Sequence, residues 1–189
     1  MNVLHVTDEA NRDACLARLC AEHYGQAAGL APLVTFAGTR RVLFVEQAAR
    51  LLALVNAEGT PLALALLVLD ETGEGMTLTL ACSLTENDEP RCRLIGELAL
   101  KAPLRVSAAD AEQEAFYRRC GITRWLTGGD GERIGVASRH PAERLDELTA
   151  TLRVDDDVVL RHFKHDPRMF ENEKRRFVDG LEAFPDTLT

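Results

Sequence analysis

The chain has 189 residues, 46% of them hydrophobic and 28% charged, with a formal net charge of −8. Such a length and balance describe one soluble domain with an appendage, large enough to bury a full core. The acidic excess argues against general nucleic-acid binding, because Arg40-Arg41, Arg118-Arg119 and Lys174-Arg175-Arg176 are short and scattered.

No run of eighteen apolar residues occurs, so no membrane span is expected. The opening Met-Asn-Val-Leu-His-Val-Thr-Asp lacks the charged start and apolar stretch of a secretion signal, which points to a cytoplasmic protein. Five cysteines without a Cys-x-x-Cys pair predict reduced thiols, with Cys15, Cys20, Cys82, Cys92 and Cys120 as small buried apolar residues.

Val3 to Val6 reads as a strand. Thr7 or Asp8 then caps a helix to about Tyr24, with Leu16, Leu19, Cys20 and His23 at helical spacing and Gly25 ending it. His23 reads as a packed or partly exposed side chain. Residues 25–38 have no readable pattern, and Thr39 to Ala48 is expected to form a second helix. Leu51 to Val55 and Leu62 to Leu69 are nearly unbroken apolar runs around a turn cluster, a hairpin covered on both faces. Met76 to Leu84 follows as a third strand, with Thr77 and Thr79 alternating against Met76, Leu78 and Leu80. A polar loop from Thr85 to Pro90 leads to a helix from Arg91 to Lys101.

Leu104 to Ala108 predicts a further strand, and Asp110 an N-cap followed by Glu112 and Glu114 in the first helical turn. That helix carries Ala115, Phe116, Tyr117 and Arg119 and stops at Gly121. Thr123 to Thr127 and Arg133 to Ala137 pair around the hairpin turn Gly128-Gly-Asp-Gly131. A helix crossing from the Met76 strand to the Leu104 strand makes those two parallel inside an otherwise antiparallel sheet. From His140 the chain reads as an amphipathic helix opened by Pro141, then a short helix started by Asp155-Asp-Asp157. Phe163, Met169, Phe170, Phe177, Leu181 and Phe184 need burial, on the parent domain or on a second copy of the chain. His162 and His165 fall short of a metal-binding helix motif, and no metal is expected.

The segment Pro103–Ile122, with Phe116, Tyr117, Gly121 and Ile122 in place, resembles the C-terminal side of the GNAT superfamily of N-acetyltransferases. The order of elements up to about Ala137 is similar to that family as well. The family often has Asn seven residues before the tyrosine, where this chain has Asp110. The resemblance implies an α/β fold: a mixed central sheet with flanking helices over residues 1–138, and a C-terminal helical extension over 139–189.

It also implies a site. The family grips the pyrophosphate of acetyl-CoA with Arg or Gln, two residues, Gly, one residue, then Gly or Ala, because glycines admit backbone N–H groups and a helix start supplies positive charge. The matching run is Arg91-Cys92-Arg93-Leu94-Ile95-Gly96, with Leu94 where the middle glycine belongs. By the same resemblance Leu80, Cys82 and Ser83 lie along the pantetheine arm, Asp110 and Phe116 border the cofactor, and Tyr117 protonates the departing thiolate. The expected reaction moves an acetyl group from acetyl-CoA to a primary amine of a small molecule or protein, with no base assigned. Leu94, the acidic Glu86, Asp88 and Glu89, and the unassigned base keep open a second reading: a catalytically inactive GNAT-like binding or assembly module, with a homodimer as one form of it.

Overall fold

The computed structural model describes all 189 residues. Its seven-stranded sheet uses β1 (Asn2–His5), β2 (Ala49–Val55), β3 (Pro61–Leu69), β4 (Met76–Ser83), β5 (Leu104–Ala108), β6 (Arg124–Thr127) and β7 (Arg133–Val136). They lie in the order β1-β2-β3-β4-β5-β7-β6. Every neighbouring pair is antiparallel except β4 and β5. The parallel pair is joined by α3 (Glu89–Lys101), the crossover helix such a pair requires.

The hairpin β2–β3 is buried almost throughout because each face has its own core. Leu51, Ala53, Leu64 and Leu66 meet α1 (Glu9–Tyr24), α2 (Ala31–Gly38) and the C-terminal helices α5 (Asp156–His165) and α6 (Pro167–Glu182). Leu52, Leu54, Ala63, Ala65 and Leu67 meet α3 and its surroundings, including Phe116 and Tyr117 of α4 (Ala111–Arg119). Period-two alternation therefore sends apolar side chains to both faces, which erases the polar stripe of a half-exposed strand. Asp8 caps α1 by accepting from the Asn11 N–H at 2.9 Å, and Asp110 caps α4 by accepting from Gln113 at 2.9 Å.

The extension lies against the parent chain. Phe177 of α6 meets Phe36 of α2 edge to face at 5.3 Å. Gly180 lets α6 approach α1 closely, since a Cβ there would stand 3.0 Å from that of Ala17. Glu173, 2% exposed, accepts from both Arg40 and Arg41.

Three expectations are corrected. The helix placed at Thr39–Ala48 comes earlier: α2 occupies Ala31–Gly38, and Thr39–Leu43 is a wide π-type turn running into the tight corner before β2. Pro32 at a first-turn position starts α2, a signal masked by the surrounding Ala and Gly. The amphipathic helix after Pro141 is a single 3₁₀ turn, Leu145–Glu147, too short for the pattern to organise. The thiols are not all reduced: Cys92 on α3 and Cys120 just after α4 form a disulfide, leaving Cys15, Cys20 and Cys82 free and buried. Cysteines 28 residues apart meet because α3 and α4 pack side by side, which spacing alone does not encode.

Beyond β7, His140 is buried, and its Nδ1 accepts the Ala142 N–H at 3.1 Å, which leaves the proton of the neutral ring on Nε2. Gly75 makes room for it, because a Cβ there would stand 2.7 Å from Nε2 and 2.6 Å from Asp70 Oδ2. Burial and then Arg105 hold its pKa below the ordinary 6.5, against the opposing pull of Asp70. A depressed folded pKa means the stability is present above 6.5 and is lost as acid charges the ring through its folded value. Thermal midpoints should therefore fall as pH drops below 6.5, and His140→Gln should flatten that slope. An equal slope in both proteins would remove His140 as its source.

Candidate functional site

The site begins with a defect in β4. Leu66 pairs with Leu80 and Leu67 with Leu78, so Thr79 has no partner and β4 carries a bulge. A bulge bends its strand and re-aims the side chains beyond it. On its other side β4 pairs with β5 only at Met76–Leu104 and Thr77–Arg105. Beyond Thr77 the parallel strands separate, and a wedge opens between them.

A cleft of about 750 Å³ fills the wedge, lined by β4 from Thr77 to Ala81, by Arg91 and Ile95 of α3, by Ser107 and Asp110, and by Phe116 and Tyr117 of α4. Phe116 and Tyr117 share an edge contact at 5.6 Å, and Tyr117 also faces Trp125 at 6.3 Å. Burial raises the Tyr117 pKa above its ordinary 10, with Arg91 pulling the other way, so the phenol keeps its proton at neutral pH. The Arg91 guanidinium lies 4.2 Å over the Phe116 ring and pairs with Asp88 at 2.9 Å, which fixes it at the mouth of the wedge.

The loop into α3 is tied down by Ser83 and Thr85, whose hydroxyls donate to the Asn87 carbonyl at 2.6 and 3.1 Å. Asp88 makes no side-chain cap at α3, but Asn87 Oδ1 accepts the Glu89 N–H at 3.1 Å and Pro90 has none, so among the first three residues of the helix the Arg91 N–H alone is open to an anion. An adjoining cleft of about 420 Å³ runs along this loop, lined by Cys82, Ser83, Asn87, Asp88 and Arg91.

The structure thus gathers Leu80, Arg91, Ile95, Asp110, Phe116 and Tyr117 around the wedge, with Cys82 and Ser83 on the adjoining loop cleft. It separates the rest of the α3 motif from them. Leu94 is fully buried in the core beneath α3, so its side chain neither meets a ligand nor plugs the wedge. Arg93 and Gly96 face a groove on another side of α3 with Cys92 and Cys120. Gly96 serves packing: a Cβ there would stand 2.9 Å from the Cys120 carbonyl oxygen.

Sequence reading missed the part played by His23, which ends α1 and lines both the wedge and the loop cleft. Burial and then Arg91 hold its pKa below 6.5, against a hydrogen bond to the Ala81 backbone, so the ring is neutral at pH 7. It missed a second cleft too, of about 580 Å³, lined by Tyr24, Thr35, Thr39, Leu43 and the extension from Leu152 to Asp157. Tyr24 and Thr35 share a hydroxyl hydrogen bond of 2.9 Å at its wall. Both clefts reach Thr79 and Leu80, so they meet at the bulge. Asp155, Asp156 and Asp157 read as a helix start, and Asp155 does cap α5 through the Asp157 N–H at 3.0 Å. Their place on the cleft depends on a tertiary return no local pattern shows.

No protein-family model and no curated protein matches the sequence. Solved structures do. Aminoglycoside 6'-acetyltransferase type Ii superposes with a TM-score of 0.50 at 13% identity, over 75% of this chain and 99% of that one. The aminoglycoside 6'-N-acetyltransferase from Enterococcus faecium gives 0.51 at 11% identity, again over 75% and 99%. With the mixed sheet parted between its parallel strands, this chain has the fold of the GNAT superfamily of N-acetyltransferases.

Proposed function

We propose that the chain is an N-acyltransferase that moves an acetyl group from acetyl-CoA to a primary amine, and that the acceptor is a small cationic amine. The observation that carries this reading is the meeting of two clefts at the bulge of β4, one bordered by Arg91 at the start of α3 and a phenol, the other by three carboxylates against one cation, Arg153. Fold likeness to N-acetyltransferases supports the class.

On this reading the thioester arm enters the wedge beside β4, and Arg91, through its guanidinium and its own backbone N–H, takes the diphosphate. The reacting amine first loses its ammonium proton to water; its neutral nitrogen then attacks the carbonyl carbon from the second cleft and gives its surplus proton to water. The C–S bond breaks, and the thiolate takes the Tyr117 proton, which solvent restores. Asp155, Asp156 and Asp157 would hold further ammonium groups of a multiply charged acceptor while one amine reacts.

Calorimetric titration with acetyl-CoA should show saturable binding, and Arg91→Ala should weaken it about 10–100-fold, the worth of a charge-assisted contact. Absence of heat at about 1 mM acetyl-CoA, the upper end of ordinary substrate ranges, would overturn the transferase reading.

A further inference from the structure

We propose that the cleft between the turn after α2 and the outer face of α6 is a binding site for a phosphate-type dianion. It shares no residue with either cleft of the transferase site and does not rest on that reading. Arg40 and Arg41 come from the π-type turn, and Arg168, Asn172 and Arg176 stand four residues apart on α6, a spacing that puts them along one helix face. The cleft holds about 300 Å³, the size of one phosphate group with a few waters.

Its charges are unbalanced. The lining has four guanidiniums and two carboxylates, Glu173 and Asp166, a surplus of 4 − 2 = 2 positive charges. Glu173 accepts from Arg40 and Arg41 through the same oxygen, Oε1, and so draws both guanidiniums to one point. Arg40 Nε is buried and donates to nothing. Glu173 Oε2 is likewise buried without a donor. Asp166 spends Oδ1 on the Met169 N–H at 3.0 Å, capping α6. Arg168 and Arg176 form no ion pair with any carboxylate.

In a chain of net charge −8, this one cleft sets four arginines against two carboxylates. Guanidinium forks match the oxygens of a tetrahedral dianion, and a charge of −2 cancels the surplus. Occupancy would also join α6 to the turn whose Thr39 and Leu43 border the second cleft.

The test is thermal unfolding of the full chain in inorganic phosphate or in O-phosphoserine, each against chloride at equal ionic strength. The midpoint should rise by about 5–10 °C at a hundredfold excess over the dissociation constant. Arg168→Ala with Arg176→Ala should abolish the rise; both residues are exposed, so the variant should fold. A larger rise with phosphoserine assigns the site to an esterified phosphate, and an equal one to the free anion. No rise beyond chloride, or a rise that survives the double substitution, overturns the proposal.

Discussion

Tyr117→Phe should lower the turnover number about 10²–10⁴-fold, the usual worth of a positioned general acid, while the dissociation constant for acetyl-CoA stays within about twofold. The phenol faces the wedge, and its ring is held by Phe116 and Trp125, contacts that phenylalanine keeps. Removing the oxygen therefore deletes the proposed proton donor and little of the wall. Because burial holds the pKa above 10, the donor form persists across neutral pH, and the phenol alone imposes no loss of rate between pH 6 and 9. Steady-state rates with a cationic polyamine acceptor, beside calorimetry on the same protein, separate the two effects. A rate within twofold of the parent would remove Tyr117 from the chemistry. A parallel loss of rate and binding would make it a wall residue instead.

Much of the fold was legible because its signals are local. The two apolar runs of β2–β3, the alternating threonines of β4 and the Asp110 cap each name their own element. The parallel pair followed from a helix standing between two strands. The features that escaped depend on partners distant along the chain. The bulge at Thr79 is defined by the register of β3, and nothing in Met-Thr-Leu-Thr-Leu announces it. Leu94 shows the opposite error. In a linear motif it stands at a phosphate-loop position, yet the helix turns its side chain into the core, where it packs with Ile95. Gly96, read as room for a phosphate, is room for the Cys120 carbonyl. A motif fixes residue order, whereas the direction each side chain takes is fixed by which helix face the core claims.

Cutting the bond between Cys92 and Cys120 should lower the thermal midpoint by about 6–15 °C. The two residues are 28 apart, and closing a loop of that size removes about 3–4 kcal/mol of denatured-chain entropy in the simplest model. Each kcal/mol is worth about 2–4 °C for a chain of this length. Scanning calorimetry with and without reductant reads the difference, and a Cys92→Ser/Cys120→Ser double variant should give the lower midpoint in both buffers. The bond has a functional side because it fastens the first turns of α3, which carry Arg91, to the end of α4, which carries Tyr117. The stacking of Arg91 on Phe116 at 4.2 Å spans the same two helices independently. Reduction should thus cost stability far more than acetyl-CoA affinity, which should change less than about tenfold, the equivalent of 1.4 kcal/mol. Equal midpoints in the two buffers would mean the bond does not constrain the unfolded chain. A collapse of affinity with little change in midpoint would mean that the bond, and not the stacked pair, sets the width of the wedge.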